Sequence, residues 1–145
     1  MKSDIRLLTI NDISSMQEVL QDDNMVFNAE SLSRFIDSDN CFGFIAKSDN
    51  KIVGFAYTYN LLRPDGKAML YLHSIGMLPD YQDKGLGTKL MEHVINYAKT
   101  NNYSECFVIT DKGNPRACHL YEKLGGKNEF NDEVVYVYDF ENSKD

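Results

Sequence analysis

A mixed α/β sheet is the fold class this sequence predicts, and three observations lead there. Residues 41–46 and 52–60 are rich in β-branched and aromatic side chains and flank the polar cluster Ser48-Asp49-Asn50-Lys51, the pattern of a β-hairpin. Downstream, Leu86, Leu90, Val94 and Ala98 recur on one helical face with Met91 and Ile95 beside them, so an amphipathic helix opens near Gly85 and ends near Asn101-Asn102. Directly after it, the short apolar run Cys106-Phe107-Val108-Ile109 suits a buried strand. The right-handed crossover rule places that strand parallel to the one before the helix.

The remaining elements follow in order. Ile5 to Leu8 reads as a first strand, and the polar cap Thr9-Ile10-Asn11-Asp12 precedes Ile13, Met16, Val19 and Leu20 at helical spacing. A second short helix is expected over Ala29 to Asp37. After the Arg63-Pro64-Asp65-Gly66 turn, Ala68 to Met77 forms a further strand, in which Gly76 suggests a bulge or a close backbone approach. Asn114-Pro115 opens a last helix that Gly125-Gly126 closes, and the Val- and Tyr-rich run Val134 to Phe140 supplies a final strand.

At 145 residues, with 43% hydrophobic and 26% charged side chains, the chain has room for one sizeable core, and a single domain over 1–145 is expected. No apolar stretch approaches the ~18 residues of a membrane span, and no apolar signal core follows Lys2, so the expected place is the cytoplasm, off the membrane. Cys41, Cys106 and Cys118 are an odd number without a C-x-x-C pair, which argues against a disulfide framework and against a metal site. A net charge of −7 disfavours nucleic acid as a partner and suits a cationic one.

Chemistry concentrates in two segments. The first, Gln82-Asp83-Lys84-Gly85-Leu86-Gly87-Thr88, lies at the opening of the long helix, where backbone amides and the helix dipole favour an anion and glycine lets a phosphate approach. A dinucleotide fingerprint would need a third glycine where Leu90 stands, and a P-loop would need a different spacing before its lysine. The second segment is Asn114-x-x-Ala117-x-x-Leu120-Tyr121-x-Lys123-x-Gly125. Together the two resemble the GNAT superfamily of N-acetyltransferases, whose pyrophosphate loop reads [QR]-x-x-G-x-[GA] and whose later signature reads N-x-x-A-x-x-L-Y-x-x-x-G. Within it, the chain looks most like the aminoglycoside 3-N-acetyltransferases of the gentamicin-resistance type.

The resemblance implies a mostly antiparallel sheet with helices on both faces and a splayed central parallel strand pair, here 68–77 and 104–110. It implies acetyl-CoA as cosubstrate: Ile75 and Met77 pairing with pantetheine through their backbones, Gln82, Asp83, Lys84, Gly85, Leu86, Gly87 and Thr88 forming the pyrophosphate cradle, and Asn114 binding pantetheine. Lys84, Lys89, Arg116 and Lys123 could meet the ribose phosphate. The implied reaction is direct attack of an amine on the thioester in a ternary complex, with Tyr121 as general acid toward the leaving thiolate. Cys118 and its neighbour His119 point in different directions on a helix and do not make a nucleophile pair.

The proton acceptor stays open. The strand-four aspartate of the aminoglycoside 3-N type falls at Ser74 here, which leaves His73, Asp111, Glu133 or a relayed water. Strand alternation allows only one of His73 and Ser74 to face the substrate. An amine with pKa near ~10.4 is only about 0.1% free base at pH ~7.4, so a site without a strong base suits a small amine of lower pKa or a polyamine. Acetylation of a protein or peptide amine, and a non-catalytic acyl-CoA-binding module, are the alternatives. Val134 to Tyr138 could pair across a homodimer or complete a sheet.

Overall fold

The computed structural model describes residues 2–130 and 132–141. Its contacts gather into two units, residues 1–111 and 112–145. In the first, five strands line up in chain order, β1 (Ser3–Leu7), β2 (Cys41–Ser48), β3 (Lys51–Leu62), β4 (Ala68–Met77) and β5 (Glu105–Val108). β1 to β4 are antiparallel neighbours and β4 runs parallel to β5. The hairpin between β2 and β3 turns on Asp49 (φ 50°) and Asn50 (φ 70°), both left-handed, which matches the twist of the flanking strands.

Helix α1 (Gln17–Asp22) and α2 (Ala29–Asp37) precede β2, and α3 (Leu86–Thr100) joins β4 to β5. α3 buries Leu86, Leu90, Met91, Val94 and Ala98, the stripe its periodicity predicts, against a face carrying Phe44, Leu70 and Leu72. Tyr97 reaches the rings of Phe44 (5.3 Å) and Phe42 (5.5 Å) on that face. Alternation sends Tyr57 and Tyr59 to the opposite face, where Phe35 of α2 meets them edge-on at 6.2 and 6.3 Å. The sheet therefore carries helices on both faces, and each large apolar side chain buried there contributes about 1.5–3 kcal/mol.

Two sequence expectations change here. The single helix expected from Ile13 to Leu20 divides into a 3₁₀ segment (Ile10–Ser15) and α1, parted at the fully buried Met16 (φ −94°, ψ −5°). Asp12 fixes that first segment: it accepts from the Thr9 amide at 2.8 Å and takes both ends of the Arg6 guanidinium at 2.8 Å. The bulge of β4 is also not at Gly76, which pairs regularly with Phe55. Tyr57 pairs with Ser74 but Thr58 pairs with Leu72, so His73 is the extra residue.

The second unit contains α4 (Pro115–Lys123). Asn114 caps it, its side-chain oxygen accepting from the Ala117 amide at 3.1 Å. Gly125 (φ 92°) ends it in a left-handed turn, and the Gly126 amide closes back on the Tyr121 carbonyl at 2.9 Å. The strand expected from Val134 to Phe140 does not form; these residues are exposed, from 67% at Val134 to 91% at Phe140. High β-propensity needs a ladder partner to become a strand, and among the described residues of this unit there is no strand to provide one.

Candidate active site

The parting of β4 from β5 defines the site. Their parallel register runs only from Met69 opposite Glu105 to Leu72 opposite Val108, so among the described residues the second half of β4, from His73 to Met77, has no strand on its β5 side. The Leu78 amide donates to the Val53 carbonyl at 2.8 Å, which puts residues 74, 76 and 78 in backbone contact with β3. By the same alternation the backbone groups of Ile75 and Met77 turn toward the vacated side. The Met77 carbonyl there accepts from Gln82 Nε2 at 3.2 Å, which ties the start of the glycine loop to the end of β4.

That loop enters α3 through Gly85, whose φ of 82° is left-handed. The N-cap position falls on Gly85, which has no side chain to offer, and the amides of Leu86 and Gly87 precede the helix's own carbonyl ladder. A Cβ at Gly85 would meet no heavy atom within 4 Å, so its backbone conformation demands glycine there. Gly87 likewise presents open backbone, its nearest Cβ neighbour being Met77 Cγ at 3.8 Å. Asp83 is left-handed too (φ 61°), and the Lys84 ammonium stands 5.6 Å from the Tyr81 ring centroid. A helix start that opens on glycine beside a strand edge that β5 does not cover fits a ligand with a phosphate end and an amide-bearing arm, as acetyl-CoA has.

On the other face of β4 the bulge overturns the expected alternation. His73 and Ser74 both lie on the face of Tyr57, Tyr59 and Tyr71: the His73 ring is 5.3 Å from that of Tyr57 and 5.5 Å from that of Tyr71, whose hydroxyl is 3.0 Å from Nδ1. Ser74 donates to Asp23 Oδ2 at 3.1 Å. Burial pushes the Tyr57 phenol up to about 12, and the Asp23 carboxylate adds to the shift. Between α1 and β4 opens a cleft of about 290 Å³, counted out to solvent and lined by Val19, Asp22 and Asp23, Phe55, and residues 76–78. Sequence reading misses Asp22, Asp23 and Tyr57. Nothing in a carboxylate at a helix end distinguishes it from ordinary surface charge until the fold brings it to Ser74.

Asp111 follows β5 as an exposed residue at the end of the first unit. In the second unit, the oxygen of Asn114 is engaged as a helix cap, so its Nδ2 is the group left to meet a ligand. Burial raises the Tyr121 phenol above its ordinary value, with Cys118 adding, and so keeps it protonated at neutral pH. Burial pushes the Cys106 thiol up to about 11, which makes it a packing residue and no nucleophile. Glu133 is exposed in the same unit.

The sequence profile of the acetyltransferase (GNAT) family matches residues 13–126, which includes the β4 edge, the glycine loop and α4. The chain belongs to the GNAT acetyltransferase family. Among relatives of this GNAT chain, the probable N-acetyltransferase san of Drosophila melanogaster is 31% identical over 77 residues, 52% of this chain and 42% of that protein. Spermidine N(1)-acetyltransferase of Escherichia coli (strain K12) is 42% identical over 48 residues, 32% of this chain and 26% of that protein. The matches thus span half or less of those relatives' lengths. In fold, the chain is similar to an aminoglycoside acetyltransferase from an uncultured soil metagenomic sample, crystallised with sisomicin. That likeness has a TM-score of 0.76 at 24% identity and covers 94% of each chain. Among the described residues, no helix is long and apolar enough to cross a membrane.

Proposed function

We propose that this GNAT chain works in the cytosol and transfers the acetyl group of acetyl-CoA to the primary amine of a small cationic acceptor, such as an aminoglycoside or a polyamine. The observation that carries the reading is the splay of β4 from β5, which frees the backbone of Ile75 and the Met77 amide beside a helix start that opens on Gly85. Acetyl-CoA, when bound, supplies an electrophilic thioester carbonyl and a thiolate leaving group. The Ile75 and Met77 backbones then hold the pantetheine arm like an added strand, and Asn114 Nδ2 donates to it. Amides from Asp83 to Thr88 hold the pyrophosphate, with the positive end of α3 behind them. The amine attacks directly: a C–N bond forms, the C–S bond breaks, and the amine's proton passes to a water or a nearby acceptor. Tyr121 Oη gives its proton to the departing sulfur, a task suited to a phenol that burial keeps protonated.

The acceptor class is supported by the two carboxylates beside the β4 edge and by the net charge of −7. Spermidine and aminoglycoside acetyltransferases among the similar proteins agree with it. Thiol release from acetyl-CoA across aminoglycosides, polyamines, amino acids and basic peptides tests the reading, with Tyr121→Phe run alongside. Turnover with a small amine, lowered roughly 10²- to 10⁴-fold in Tyr121→Phe while acetyl-CoA affinity stays the same, is the expected result. Turnover confined to peptides would move the acceptor to protein amines. Acetyl-CoA binding without any turnover would make the chain an acyl-CoA-binding module.

A further inference from the structure

At the end of the sheet away from β5, the pairing of β1 with β2 fixes which backbone groups of β1 face outward. The Leu8 amide donates to the Gly43 carbonyl at 2.8 Å, and the Asp49 amide donates to the Lys2 carbonyl at 2.8 Å. Between them the register is unbroken, from Ser3 opposite Ser48 to Leu7 opposite Phe44. The even-numbered residues therefore bond to β2, and the amides and carbonyls of Ser3, Ile5 and Leu7 point away from the sheet. Among the described residues β1 ends the strand order, so this row is a template for one more strand.

Proteins commonly guard such an edge with lysines, a proline or a bulge. β1 has no proline, its register with β2 has no bulge, and its two charges are of opposite sign. Asp4 is 65% exposed, and it reaches Arg6 Nε only at 3.9 Å. The Arg6 guanidinium is held by Asp12 and donates to the Leu7 carbonyl at 3.1 Å, which keeps it beside the outward row and leaves that carbonyl a second lone pair. A second copy laid antiparallel along β1 on a twofold axis meets outward groups with outward groups if centred on Asp4, Ile5 or Arg6. Charge separates the three. Centring on Asp4 sets Asp4 against Asp4 and Lys2 against Arg6, and centring on Arg6 sets Arg6 against Arg6. Centring on Ile5 overlaps all of Ser3–Leu7 and puts Asp4 of each copy directly opposite Arg6 of the other, in the closer, non-hydrogen-bonded kind of pair. On the other face of the strand, Ile5 then meets Ile5, and Leu7, 39% exposed, meets Ser3. We propose that the chain forms a twofold homodimer through β1, two sheets joined edge to edge about Ile5 with an Asp4–Arg6 pair on each side of the axis. The proposal does not depend on the acetyltransferase reading.

Sedimentation equilibrium of the full chain across micromolar concentrations tests this, at about 0.15 M salt, where the repulsion between two chains of charge −7 is screened beyond ~8 Å. The native chain is expected to shift from the mass of one chain to that of two as concentration rises. Asp4→Lys sets like charges opposite each other on both sides of the axis and should weaken association about tenfold or more. Ser3→Pro removes an outward amide that β2 does not use, at the first residue of an edge strand, where proline is tolerated. It should weaken association with no change of charge. Neither variant should move the thermal midpoint at concentrations where the native chain is a monomer. Ile5→Cys brings two thiols across the axis with Cα atoms about 5.5 Å apart, so mild oxidation should link far more dimer than it does in the native chain with its three cysteines. A chain that stays monomeric throughout overturns the proposal. So does a dimer that either Asp4→Lys or Ser3→Pro leaves intact, or an Ile5→Cys chain that cross-links no more than the native one.

Discussion

Asp12 shows how much a single side chain can hold in this fold. It ends neither a strand nor a helix, yet it satisfies the Thr9 amide and both prongs of Arg6 while only 7% exposed. The Arg6 hydrogen bonds outweigh the cost of burial and hold its carboxyl at about 2, against an ordinary value of 3.8. A carboxylate depressed in the folded state stabilises the fold above its unfolded pKa, and that contribution is lost as pH falls through the folded one. The stabilisation is therefore complete above about pH 5, amounts to about 2 kcal/mol, and disappears toward pH 2. Asp12→Asn should cost roughly that much in urea unfolding at pH 7, and the gap between variant and native chain should close as the same titration is repeated toward pH 2. A gap that stays constant with pH would mean that Asp12 acts through packing and not through its charge.

Among the elements, α3 and β4 divide what could be read in the sequence from what could not. The buried stripe of α3 was legible because a 3.6-residue period survives in one segment without reference to any other. The glycine loop and α4 were legible as motifs, and the extent of β4 agreed with the sequence to the residue. The bulge was not, because a bulge is a property of register between two strands: Gly76 gave the only local signal, and the extra residue is His73. Asp23 was hidden for a related reason, since it meets Ser74 only after the chain has folded back across 51 positions. The final strand failed in the opposite direction, with propensity present and no partner. These elements also decide how the cradle should be tested. Gly85→Val confounds binding with backbone strain at φ 82°, costing on the order of 1–2 kcal/mol before any phosphate is considered. Gly87→Ala is cleaner, because its Cβ makes an ordinary 3.8 Å contact and alanine is the better helix former. It should leave the thermal midpoint unchanged or slightly raised while weakening acetyl-CoA binding at least tenfold; unaltered affinity would place the pyrophosphate elsewhere.

For the whole molecule the question is whether residues 1–111 and 112–145 unfold together. The proposed reaction draws on both, since the glycine loop lies in the first unit and Asn114 and Tyr121 lie in the second. A single domain of 145 residues should unfold in one transition with an enthalpy of about 100 kcal/mol near 60 °C, and its calorimetric and van't Hoff values should agree. Acetyl-CoA at a hundred times its Kd adds about 2.7 kcal/mol to a folded state that binds it, which for a chain of this size raises the midpoint by roughly 9 °C. In a one-domain protein the entire transition moves by that amount. Two transitions, of which only the one belonging to residues 1–111 responds to acetyl-CoA, would show that α4 contributes nothing to the cofactor site. Tyr121 would then lose its place in the reaction along with the single domain.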